Sequence, residues 1–108
     1  YQDKGELEKA LSYARRSIRI REELDDKVGL AYSNLQLAEL RMGTENLADI
    51  FDYCDQGERG FEELGNRIGQ IMAKGTKARA FFHVGLLDEA EELLREVITA
   101  ATAKEPTA

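Results

Sequence analysis

The chain has no tryptophan, one cysteine, one histidine and one proline in 108 residues. Each shortage excludes something. Cys54 alone cannot close a disulfide within the chain, so the fold must stand without such staples. His83 has no second histidine or cysteine at ligand spacing, and a zinc site fails on ligand count. Pro106 is the one proline, so none interrupts the chain before it. No apolar run approaches the ~20 residues that a membrane span needs. The opening "YQDKGELEK" is polar and charged, unlike a secretory signal. A reducing, cytoplasmic setting and no membrane partner are the expectations.

Basic charge is scarce in one place. The net charge of -6 is uneven: residues 44–64 hold seven acids and only Arg59, while the rest of the chain balances. A nucleic-acid partner would want the opposite sign, so none is expected. The acidic strip "TENLADIFDYCDQGERGFEEL" reads as a solvated helix face that can also steer a basic partner. Hydrophobic residues at 43% and charged ones at 33% suit one folded domain with a core.

What the chain does contain is a repeat. Shifted by forty residues, "REELDDKVG" (21–29) falls on "FEELGNRIG" (61–69), and "GELEKALSYA" (5–14) returns after eighty as "GLLDEAEELL" (85–94). Within each period two helical patterns follow each other. Leu7, Ala10, Leu11, Ala14, Ser17, Ile18 and Leu24 keep the spacing of one apolar helix face. So do Leu47, Ile50, Phe51, Cys54, Gly57, Phe61 and Leu64, and then Leu87, Ala90, Leu93, Leu94, Val97, Ile98 and Ala101. The stretches between them are apolar on more than one side, as in helices packed between neighbours. The spacing predicts five helices, about 5–24, 28–42, 45–64, 67–83 and 86–103, with no competing strand pattern.

The expected breaks have a chemical basis. Gly43 and Gly85 can take the left-handed conformation that ends a helix. Thr44 and Asp88 suit a cap or first turn. "DDK" and "GNR" mark the other joints. Gly57 and Gly60 fall inside the third helix, at a cost of about 1 kcal/mol each relative to Ala. Close packing offsets that cost, or the helix bends there. A single helix pair cannot bury its own face, so the pairs are expected to stack.

Few residues offer chemistry. Cys54 lies on an apolar face with no base beside it in sequence, which suits a core thiol better than a nucleophile. His83 reads as a structural or surface residue near a helix end. The acids of "DEAEE" (88–92) suit a helix start rather than a calcium loop. "GTK" at 75–77 lacks the flanks of a phosphate-binding loop. No catalytic set and no cofactor is expected. Arg15, Arg16, Arg19 and Arg21 in "ARRSIRIR" form the one basic cluster, which either pairs with acids on nearby turns or docks an acidic surface, such as the third helix of another copy.

These phrases carry a resemblance. "EELDDKVG" and "EELGNRIG" look like the joint of the long-period tetratricopeptide repeats (TPR), the roughly forty-residue type of kinesin light chain and the GoLoco-motif polarity scaffolds. The likeness covers residues 1–101. Ala78, Phe81, Ala90 and Leu94 stand where that family puts small, aromatic, small and bulky residues, and Gly85 stands on its turn glycine. The middle repeat departs from it: Glu45 stands where the turn glycine belongs, and Gly43 is two residues early. The resemblance implies an all-α, right-handed α-solenoid of antiparallel helix pairs over residues 1–103, followed by a polar tail, 104–108. It also implies a concave groove lined by the first helix of each repeat. Carried over by position, the groove residues are Tyr32, Leu35, Gln36, Glu39 and Met42, then Met72, Thr76, Arg79, Phe82 and His83. The mix is apolar with few charges and lacks the Lys and Asn set of a carboxylate clamp. An amphipathic helix or apolar peptide is the ligand it implies.

Tyr1 precedes Gly5 by four residues, as Phe81 precedes Gly85, so the chain reads as two and a half repeats entered at the end of a missing helix. Its first helix is then expected to expose a face meant for a neighbour, in a longer array or in a second copy. Three functions compete: a scaffold that binds a protein segment, a self-associating structural module, and the sensor piece of a bacterial transcription factor, kinase or cyclase.

Overall fold

The computed structural model describes residues 4–42 and 48–103. They form five helices, α1 (Lys4–Glu23), α2 (Lys27–Arg41), α3 (Ala48–Glu63), α4 (Arg67–His83) and α5 (Leu87–Thr102), with no strand among the described residues. The bounds agree with the periodicity to within a residue or so, except that α3 is described only from Ala48. Tyr1, Gly43, Thr44, Glu45, Leu47 and the 104–108 tail lie outside the described residues.

Three joints, 24–26, 64–66 and 84–86, are built alike. Each ends its helix with a residue in the left-handed region: Asp25 at φ 54°, Gly65 at 65° and Gly85 at 86°. The next N–H reaches back five residues. Asp26 donates to the Arg21 carbonyl at 2.8 Å, Asn66 to Phe61 at 2.9 Å and Leu86 to Phe81 at 2.9 Å. These bonds satisfy carbonyls that a helix end would leave bare. Asp26 and Asn66 then cap the following helix, each accepting through its side chain from the N–H three residues on, Gly29 or Gly69, at 2.9 Å. Leu86 holds the same place without a side-chain cap, and Asp88 and Glu89 in the first turn of α5 supply the favourable charge instead.

Short joints return each helix along its predecessor. Every helix packs on its neighbours in the chain, and α2 also packs on α4. The molecule is a slab of 49 × 37 × 20 Å with a radius of gyration of 14.8 Å. A rounder domain of this length would measure about 13 Å.

Three side-chain clusters make the core. Leu11, Ala14 and Leu37 join α1 to α2. Ala31, Leu35, Phe61 and Ala73 join α2, α3 and α4. Ala38, Met42, Ile50, Cys54 and Ala80 join the same three helices further along. Small residues on α4 allow the close approach. The α3 glycines are explained by packing: a Cβ on Gly57 would lie 2.7 Å from Leu35 Cδ2, and α3 continues unbroken to Glu63. Phe51 and Phe81 stack with centroids 5.0 Å apart.

Candidate functional site

Because α2 lies beside α4, side chains forty residues apart meet across them. Arg79 Nη1 donates to Glu39 Oε1 at 3.2 Å. Both groups are largely exposed, so the pair is worth only about 0–1 kcal/mol. Its effect is to neutralise two charges in the middle of the shared face.

Two adjoining depressions lie on that face. The larger, about 500 Å³, is lined by Glu39, Met72, Gly75, Thr76, Arg79, Phe82 and others, including Leu94 from α5. The smaller, about 300 Å³, is lined by Arg21, Tyr32, Leu35, Gln36, Glu39, Met72 and Thr76. Eight of the ten residues that the TPR likeness assigns to a groove therefore line one surface. Two do not. Met42 is buried in the core against Ile50, Cys54 and Ala80. His83 is exposed at the end of α4 and lines neither depression.

Residues at equivalent places have different surroundings. Tyr32 packs edge-on against Phe61, with centroids 4.9 Å apart, and still shows much of its ring to solvent. Phe82 is 67% exposed and Met72 is 44% exposed. Thr76 is buried and returns its hydroxyl to the Met72 carbonyl at 3.0 Å, so its methyl rather than its O–H is what the surface offers.

The basic cluster divides. Arg15, Arg16 and Arg19 are exposed. Arg21 turns inward, where Nη1 donates to the Gly29 carbonyl and to Ser33 Oγ, both at 2.6 Å. Arg21 stands forty residues before Phe61, and Ser33 forty before Ala73. A polar pair thus fills in the first repeat the place that an apolar pair fills in the second. The forty-residue alignment already set Arg21 on Phe61. Leu94 was expected on a buried face and instead lines the larger depression half-exposed, because α5 packs only on α4.

The titratable groups are arranged for structure. Burial, with the nearby Asp55 carboxylate, pushes the Cys54 thiol up to about 12 from 9.0. The side chain is fully buried, so Cys54 is held as the neutral, unreactive thiol. Lys77 is shifted upward by its hydrogen bond to Asp55 Oδ1 at 2.8 Å, against the opposing effect of burial. Among the described residues no group of three or more His, Cys, Asp or Glu is placed to hold a metal ion. No helix among them is long and apolar enough to cross a membrane. Comparison of the chain with models of known families, with curated proteins and with solved structures finds no match.

Proposed function

We propose that the chain is a protein-interaction module of TPR type, a right-handed α-solenoid whose α2–α4 face holds a helical or apolar segment of a protein partner. One observation carries the reading: the side-by-side packing of α2 and α4 gathers Tyr32, Gln36, Glu39, Met72, Arg79 and Phe82 onto one continuous, mostly apolar surface. The repetition of joint 24–26 at 64–66, down to the capping bond, supports a repeat architecture. The flattened shape also fits a stack of helix pairs. Apolar grooves with few fixed charges suit an amphipathic helix, read through residues three and four apart. The lone buried cysteine fits a reducing, cytoplasmic setting.

The test is selection of helical peptides from a displayed library against the chain. Binding helices should be recovered, and the Arg79→Ala, Phe82→Ala double variant should lose them while keeping its circular dichroism. Peptides that bind the double variant equally well would place recognition elsewhere.

A second reading has its own observation. Tyr13 and Ile20 lie along one face of α1, and Leu24 follows just past its end; they are 62%, 49% and 73% exposed. Such a stripe suits self-association, and the exposed Arg15, Arg16 and Arg19 of the same helix can meet acids of another copy. Light scattering across a tenfold dilution decides: a stable dimer dispersed by Arg15→Glu and Arg19→Glu supports it, and a monomer throughout rejects it.

A further inference from the structure

The protein contains one worked example of how its own surface receives a helix. The face made by α2 and α3 seats α4. Ala80 closes the cluster of Ala38, Met42, Ile50 and Cys54. Ala73 closes that of Ala31, Leu35 and Phe61. Between them, Lys77 reaches Asp55 at 2.8 Å. The seat therefore reads three positions of its guest helix: 73, four residues on at 77, and seven on at 80.

Forty residues later the same positions recur on α4 and α5, open to solvent. Phe82 and Leu94 stand where Met42 and Cys54 stood. Met42 is 8% and Cys54 0% exposed, whereas Phe82 is 67% and Leu94 46% exposed. Both line the larger depression. The interface already built inside the chain is thus continued at its surface with altered chemistry. Gly75 replaces Leu35, and a Cβ there would meet nothing within 4 Å. With Ala101 in the place of Phe61, the floor under the first position is lower. Phe82 and Leu94 are bulkier than the Met42 and Cys54 they replace, while Ala90 is smaller than Ile50, so the total volume is kept and the third position still needs a small guest residue. At the middle position Arg95 replaces Asp55, and the sign of the required charge reverses.

We infer that the α4–α5 face docks a helix with a bulky apolar residue, an acid four residues on and a small residue seven on. This rests on the helix-binding reading above and names the partner's chemistry. The bulky side chain fills the space above Gly75, the small one passes between Phe82 and Leu94, and the acid meets Arg95. Arg95 otherwise pairs with Glu91 one turn away on its own helix, an exposed bond that a guest carboxylate can join or replace.

The probe is a fluorescein-labelled, end-blocked 17-residue peptide with the sequence of α4, carrying Gly75→Ala for helicity, Ala73→Leu and Lys77→Glu. Fluorescence anisotropy should show it binding the 108-residue chain at least fivefold more tightly than the same peptide with lysine retained. In the Arg95→Glu protein the preference should invert. Leu94→Asp, a substitution at a half-exposed site, should abolish binding of both peptides without changing the circular dichroism. Equal binding of the two peptides, with no inversion in Arg95→Glu, overturns the charge rule. If library helices still bind through Arg79 and Phe82 in that case, the general reading survives. If neither those helices nor the 17-residue peptides bind, both fall.

Discussion

The ring of Phe61 lies directly against the α-carbon of Gly69, eight residues further along the chain. A Cβ on Gly69 would sit 2.1 Å from Phe61 Cδ1, and Phe61 is fully buried between α2, α3 and α4. The ring has nowhere to move. Gly69→Ala is expected to cost about 1–3 kcal/mol through overpacking, less a gain of about 1 kcal/mol in helix propensity. Thermal melts should fall by roughly 4–8 °C per kcal/mol of net loss. Gly75→Ala is the control. It sits in the same helix with open space around its Cβ position, so its melting temperature should rise. Equal effects from the two would mean that the Phe61 contact is not what fixes Gly69.

The joints make a second prediction. Asp25 holds a left-handed conformation at φ 54° where the equivalent residue forty on is Gly65 at 65°. A side chain there costs about 1–2 kcal/mol in general, less for Asp. Asp25→Gly should therefore stabilise the chain by about 0.5–1 kcal/mol. Gly65→Ala should destabilise it by about 1–2 kcal/mol. Urea midpoints would measure both, and a loss of stability in Asp25→Gly would show that the Asp side chain contributes more than the backbone relief.

Arg21 and Ser33 give a third. Ser33 is 1% exposed, and its hydroxyl is bound by the Arg21 guanidinium. Arg21→Ala removes a charged hydrogen-bond partner and is expected to cost about 1.5–3 kcal/mol. Much of that should disappear when Ser33 is already Ala, because the hydroxyl that loses its partner is then gone. A double-mutant cycle with a coupling of about 0.5–3 kcal/mol would support the pairing. Additive losses would assign Arg21 to its bond with the Gly29 carbonyl alone.

These residues also show how far the sequence could be read. Hydrophobic spacing placed all five helices, because each buries a face and burial sets the period. The forty-residue alignment located the joints, since Asp26 and Asn66 are read the same way by the backbone. Spacing alone does not say which apolar residues are covered. Leu94 and Cys54 occupy equivalent positions, yet only Cys54 has a following helix packed over it. Met42 and Phe82 differ for the same reason. The inward turn of Arg21 was equally hidden, because a charged residue in a helix is read as surface unless a partner such as Ser33 is known to face it. Eight of the ten groove positions share a surface because one periodicity governs them all. Met42 falls outside it because Ile50 of α3 and Ala80 of α4 close over it, and His83 because it ends α4 beyond both depressions.

Cys54 supplies a pH-dependent prediction. Its folded-state pKa is raised to about 12, so between pH 9 and 12 the unfolded chain loses the thiol proton while the folded chain keeps it. The unfolded state then binds fewer protons, and stability falls as pH rises through that window. The contribution is fully present below pH 9. Cys54→Ala should show a shallower decline of stability between pH 9 and 11 than the parent. At pH 8 the native thiol should resist an aromatic disulfide reagent until urea unfolds the chain. Rapid labelling of the folded protein would contradict the burial of this group.

Every helix touches only those one or two places away in the chain, and α1 never meets α5. The consequence is kinetic. No distant segments must find each other before stabilising contacts form, so little loop-closure entropy stands in the way. Helical proteins with such local wiring fold in microseconds to milliseconds. A chain leaving the ribosome can also pair α1 with α2 before α5 has been made. Assembly can start at any adjacent pair and spread in either direction, as a zipper closes from wherever its first teeth engage.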